Sequence, residues 1–148
     1  MNALRMTLIA LLFIPGISIL SAQSNHYTLT KHPVLGKLDV AKLADAEMNY
    51  TAGLASDNNG LVESSLYYAL QLRLAYPERS FPKLYRAIDE LVKDGRSQCI
   101  RYKAALACTV FAAPRLIERN QITDLSDTNE FFSSIAQQLE SKLLVSSK

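Results

Sequence analysis

Residues 99–108 read CIRYKAALAC, and how this run is placed in space decides the fold. Cys99 and Cys108 are the chain's two cysteines. In a helix, nine steps set them about 180° apart around the axis and ~13 Å apart along it. A disulfide needs Cα atoms ~4.4–6.8 Å apart, so an intact helix forbids a bond between them. A redox pair of the thioredoxin kind needs two intervening residues, which this spacing does not provide. The run therefore reads as one rod with apolar groups nearly all round. Ile100, Ala104, Cys108 and Phe111 form one row, and Cys99, Tyr102, Leu106 and Val110 another. Two apolar rows place a helix between neighbours. On that reading Cys108 is a tightly packed small hydrophobe and both thiols stay reduced. A bond between two molecules through Cys99 is the alternative, and the route by which copies of the chain would join.

Working outward, Ser97 caps this helix, which runs to residue 111 or 112 and ends before Pro114; residues 115–120 add a turn. Upstream, Ser80 caps a helix with Pro82 in its first turn and Leu84, Ile88 and Leu91 as its stripe. Asp94 and Gly95 stop it. A helix over 61–75 follows the turn-forming run 56–60, SDNNG, and yields at Tyr76 because Pro77 pushes its predecessor out of helical geometry. Asp39 caps a helix over 40–53, with Val40, Leu43, Ala44, Met48 and Thr51 on one side. Asp127 and Glu130 have capping-box spacing before a last helix over 128–144, whose stripe is Phe132, Ile135, Ala136, Leu139 and Leu143. No convincing strand pattern appears, so residues 39–146 read as a single all-α domain.

The chain also matches itself. A shift of 38 residues lays Leu61 on Cys99, Val62 on Ile100, Ala69 on Ala107 and Leu70 on Cys108. Each helix follows a small-residue turn, opens on an aliphatic pair and continues as a long apolar run. Asp94, Ile100-Arg101 and the run Ala104-Ala105-Leu106-Ala107 carry the pattern in one copy; Asp57, Leu61-Val62, Leu66 and Ala69-Leu70 carry it in outline in the other. In these residues the chain resembles the HEAT-like repeat proteins of the armadillo-like α-α superhelical class. It departs at Glu63, where the family pattern would have a basic residue, and at the bulky pair Tyr67-Tyr68. The resemblance spans about residues 39–114. It implies a short α-α superhelix of stacked helical hairpins, with the arm before residue 39 and the last helix as caps. It also implies partner recognition, and a role for Arg101 in tying one hairpin to the acidic turn of the other at Asp94 or Asp57. An unrelated helical bundle with similar stripes is the competing architecture.

Residues 1–24 have the make-up of a cleaved export signal: Arg5, an apolar stretch over 6–20, then small residues at Ser21, Ala22 and Ser24. This places the chain in a periplasmic or extracellular compartment, with no membrane span after the signal is removed. Residues 25–38 read as an irregular arm. Of the 148 residues, 16 are basic and 14 acidic, giving a formal net charge of +2 with the signs interspersed. That balance argues against a nucleic-acid surface, which needs clustered positive charge.

Neither histidine, His26 or His32, has metal-ligand spacing, so no metal or cofactor is expected. No nucleophile–base arrangement or phosphate loop stands out; Glu47, Glu63 and Asp89 are carboxylates with no evident reason to pair. The chemistry instead suggests binding. Tyr67, Tyr68, Tyr85 and Tyr102 fall in the repeat-like region with Arg73 and Arg86, residue types over-represented at binding hot spots. The expected function is a non-enzymatic helical scaffold that binds a protein or peptide. A small hydrolase or ligand-binding domain with an interhelical pocket is the alternative.

Overall fold

The computed structural model describes residues 39–122 and 127–146, so the expected signal and arm, with His26 and His32, lie outside the described residues. Five helices follow in order: α1 (Val40–Leu54), α2 (Asn59–Ala75), α3 (Pro82–Asp94), α4 (Gln98–Ala112) and α5 (Thr128–Ser146). Two single 3-10 turns, Pro114–Leu116 and Arg119–Gln121, link the last two. There is no strand among the described residues, and none of their helices is long and apolar enough to cross a membrane. The fold is all-α.

Four of the helices begin where short polar side chains can take up their free N–H groups. Asp39 accepts from Lys42 N (2.8 Å), Asn58 from Gly60 N (2.9 Å), Ser97 from Ile100 N (3.1 Å) and Asp127 from Glu130 N (2.9 Å). Asn58 starts α2 two residues earlier than the apolar pattern implies. The exception is α3, where Ser80 was expected to cap. The capping position is Phe81, whose ring is buried, and no side chain local to the turn caps it. Pro82 has no N–H to satisfy, and the next donor, Lys83 N, is taken by Glu47 Oε1 of α1 at 3.1 Å. A residue that sequence alone left without a purpose thus caps a neighbouring helix.

α1 packs on α2 and α3, α2 on α4, and α3 on α4, closing a four-sided arrangement; α5 lies against α2 and α4. α2 and α4 each touch three other helices, and α2 buries Val62, Ser65, Leu66, Ala69, Leu70, Leu72 and Leu74. The expectation that both rows of α4 are enclosed holds for the first row, with Ile100, Ala104 and Phe111 buried and Cys108 half-buried. It is corrected for the start of the second row: Val110 is buried and Leu106 partly buried, but Cys99 is exposed and Tyr102 is 57 % exposed. The same holds for α1, whose interior face is Leu43, Gly53 and Leu54 with Ala46 and Tyr50. Val40 and Met48 stand 69 % and 60 % exposed, because α1 has neighbours on two sides only.

Among the described residues, one charge lies in the interior. The Lys103 ammonium of α4, 4 % exposed, pairs with the Glu63 carboxylate of α2 and donates to Asn129 Oδ1 of α5 at 2.9 Å. It also sits 5.5 Å from the centroid of the Phe132 ring.

Candidate binding cleft

Pro77 ends α2 and Pro82 starts α3, so the chain turns sharply between them and the last turn of α4 comes alongside. Three helix ends meet there around an open cleft of about 430 Å³, lined by Arg73, Ser80, Phe81, Pro82, Tyr85, Arg86, Asp89 and Phe111.

Arg73, on the last turn of α2, holds this junction together. Its Nε donates to Phe111 O at 3.1 Å; its Nη1 donates to Pro77 O at 2.7 Å, Arg79 O at 3.0 Å and Tyr76 O at 3.4 Å. The C-terminal carbonyls of a helix lack intrahelical donors, and one guanidinium serves the ends of α2 and α4 and the turn that joins α2 to α3. Desolvation lowers the Arg73 pKa from its ordinary value, opposed by the charge of Glu78. The apolar wall comes from Phe81 and Phe111, both buried, and from Tyr85, 45 % exposed, whose ring centroid lies 6.5 Å from that of Phe111. The Arg79 guanidinium lies over the Phe81 ring, 5.8 Å from its centroid. Arg86 is exposed at the rim. Asp89 is paired with Lys93 at 2.7 Å, one turn along α3.

Of the six residues expected to bind, the structure brings Arg73, Tyr85 and Arg86 to this cleft and places the other three elsewhere. Tyr67 and Tyr68 belong to a run of rings crossing three helices. Tyr68 stacks on Tyr50 of α1 (5.9 Å between centroids) and meets Tyr67 edge-on at 5.1 Å; Tyr67 meets Phe131 of α5 edge-on at 4.7 Å. Desolvation, then the neighbouring tyrosine, raises the pKa of Tyr50 and of Tyr68. These rings join α1, α2 and α5. Tyr102 stands alone on the open side of α4. Phe81, Pro82 and Phe111 line the cleft without having been expected to bind. The Phe-Pro pair at a helix start was the available signal, since a ring at the capping position faces the end of the preceding helix.

The structure places the four residues expected to be structural, Asp57, Asp94, Arg101 and Cys108, in different settings. Arg101 reaches the backbone of the turn at Asp94, its Nη1 donating to Gly95 O at 2.6 Å, but this turn precedes its own helix, so the bond does not join the two hairpins. Arg96 makes the cross-link instead, donating from Nη1 to Asp57 O at 2.7 Å and pairing through Nη2 with the Asp57 carboxylate. Arg96 sits in the loop itself and faces Asp57 across the junction, whereas Arg101 starts a turn further into α4. Asp94 lines a second depression of about 320 Å³ with Leu54, Val62, Glu90, Leu91 and Arg96. Cys108 faces α3, and burial raises its thiol pKa, with Asp89 adding and Lys93 opposing. Both cysteines are free. Glu47, Glu63 and Asp89 are each engaged by a different partner.

Among the described residues no group of three His, Cys, Asp or Glu side chains gathers as a metal site. No family model, curated protein or solved structure matches the chain.

Proposed function

We propose that the chain is an exported, non-enzymatic scaffold of stacked helical hairpins that binds an extended segment of a protein partner in the cleft between α2, α3 and α4. The observation that carries this reading is the convergence there of Arg73, Tyr85 and Arg86 with the Phe81 and Phe111 rings. A ligand site of this kind is a mostly apolar concavity with a few fixed polar groups, and Arg73 is fixed by four carbonyls.

The stacked-hairpin part is supported by burial. At an offset of 38, Val62 and Ile100 are both buried, as are Ser65 and Lys103, Leu66 and Ala104, Ala69 and Ala107, and Leu72 and Val110. Two hairpins set side by side also produce the pairings α1 with α3 and α2 with α4. Export is supported by residues 1–24 alone. Sequencing the chain recovered outside the cytoplasm should give a first residue just after Ala22 or Ser24; recovery of the intact leader removes that part.

The binding reading is tested by selecting a displayed random-peptide library on residues 25–148. The expected result is enriched peptides that lose binding to Y85A while that variant keeps the helical circular-dichroism signal of the parent. No enrichment, or peptides indifferent to Y85A, overturns it.

A further inference from the structure

Resting on the reading of the cleft as a peptide site, we infer that its ligand is an acidic segment. One Asp or Glu carboxylate sits between the guanidinium groups of Arg73 and Arg86, and the adjoining apolar or aromatic side chain lies on Phe81, Pro82, Tyr85 and Phe111.

The argument begins with charge. The cleft is lined by two arginines and one aspartate, and Lys93 neutralises that aspartate from the next turn of α3. Arg86 has no carboxylate at ion-pair distance among the described residues. Glu78, whose charge also acts on Arg73, is paired with Arg115, so the unbalanced charge in the cleft is positive.

Geometry then distinguishes the two arginines. Arg73 commits Nε and Nη1 to backbone carbonyls. Its Nη2, with two N–H donors, has no acceptor among the described residues. An arginine so held loses little rotamer freedom when an anion arrives, and a guanidinium–carboxylate hydrogen bond is among the stronger contacts available to a peptide. Arg86, exposed on α3, closes on the same oxygen pair from the rim. The floor supplies the second half of the recognition, because burying a side chain on aromatic surface excludes water from the ion pair and strengthens it.

The second depression gives an internal contrast. It carries Glu90 and Asp94, while its one cation, Arg96, is bound to Asp57. The two concavities flank α3 with opposite charge preference, so an acidic segment is directed to one and repelled from the other.

The test is a nuclear magnetic resonance titration of 15N-labelled chain, residues 25–148. Its probes are two blocked tetrapeptides, acetyl-Gly-Phe-Glu-Gly-amide and acetyl-Gly-Phe-Gln-Gly-amide, which match in size and differ in one charge. The glutamate peptide is expected to move the Arg73 Nε–H signal and the amides of residues 81–86, to leave those of Glu90 and Asp94 in place, and to bind about tenfold tighter than its neutral twin. The exposed Arg86→Gln variant should remove most of that difference, and added salt should narrow it. Arg73 is left intact because its loss would release the junction it holds. Equal affinity for the two probes overturns the acidic ligand and leaves the cleft as a neutral peptide site. Shifts at Glu90 and Asp94 alone overturn it by naming the other depression. Silence at residues 81–86 with both probes also overturns it, and the peptide selection then judges the cleft separately.

Discussion

Lys103 and Glu63 form an asymmetric pair: the lysine side chain is 5 % exposed and the glutamate 30 %. A buried ammonium deprived of its partner keeps its full desolvation cost, whereas a part-exposed carboxylate can turn to water. Glu63→Leu should therefore lose about 3–5 kcal/mol of stability. Lys103→Met, which retains most of the apolar stem, should stay within about 1 kcal/mol of the parent. Urea unfolding of the two variants gives the ordering directly, and equal losses would show that the lysine is far wetter than its surroundings indicate. The thiols differ in a comparable way. Cys99 is exposed at the start of α4, and Cys108 is half-buried with a raised pKa. Since the thiolate is the reacting form, an aromatic disulfide reagent at neutral pH should label one thiol quickly and the other slowly. Cys99→Ser should erase the fast phase and keep the slow one.

Between elements, α1 approaches α2 closely at Gly53. A Cβ added to Gly53 would overlap Ser65 Oγ, and both residues are buried. Alanine favours a helix interior over glycine by about 1 kcal/mol, yet Gly53→Ala should destabilise by about 1–3 kcal/mol because the helices must separate. Ser65→Ala in the same chain should recover part of that loss, a coupling that a double-mutant cycle in urea measures. Helix number, order and most caps could be read from the sequence, since Asp39, Ser97 and Asp127 act locally and Pro77 and Pro114 break the chain where they stand. The faces were harder. Val40, Ala44 and Met48 make as good an apolar stripe on paper as Leu43 and Leu54 do. Only the position of α1, with neighbours on two sides, decides which is interior. The same limit applied to the site. Arg73, Tyr85 and Arg86 were legible by residue type, but the cleft exists because Phe81 sits at a helix start and Phe111 at a helix end. That meeting is set by tertiary packing, as is the capping of α3 by Glu47. Arg101 and Arg96 show it again, being near in sequence but facing different carbonyls.

Across the molecule, protection from opening should follow how many neighbours each helix has. A simple stack of hairpins is held by nearest-neighbour contacts, so each hairpin can open on its own. Here α5 rests on α2 and α4 together, Lys103 reaches from α4 to both α2 and α5, and the Tyr67 ring abuts Phe131. These links tie α5 to a cooperative unit built on α2 and α4, the two helices with three neighbours each, while α1, α3 and α5 each rest on two. Hydrogen exchange reports such units as groups of amides that share one opening free energy. The amides of Leu66, Ala69, Leu70 and Leu72, all buried on α2, should exchange slowest, and those of Ala104, Ala107 and Ile135 should share their opening. Amides of the first turns of α1, beneath the exposed Val40 and Ala44, should exchange fastest among the helices. Asn129→Ala removes one acceptor of the buried ammonium, which would bring α5 to a lower opening free energy than α2. If instead α1 and α2 open together, separately from α3 and α4, then the hairpins are the cooperative units and α5 does no more than cover them.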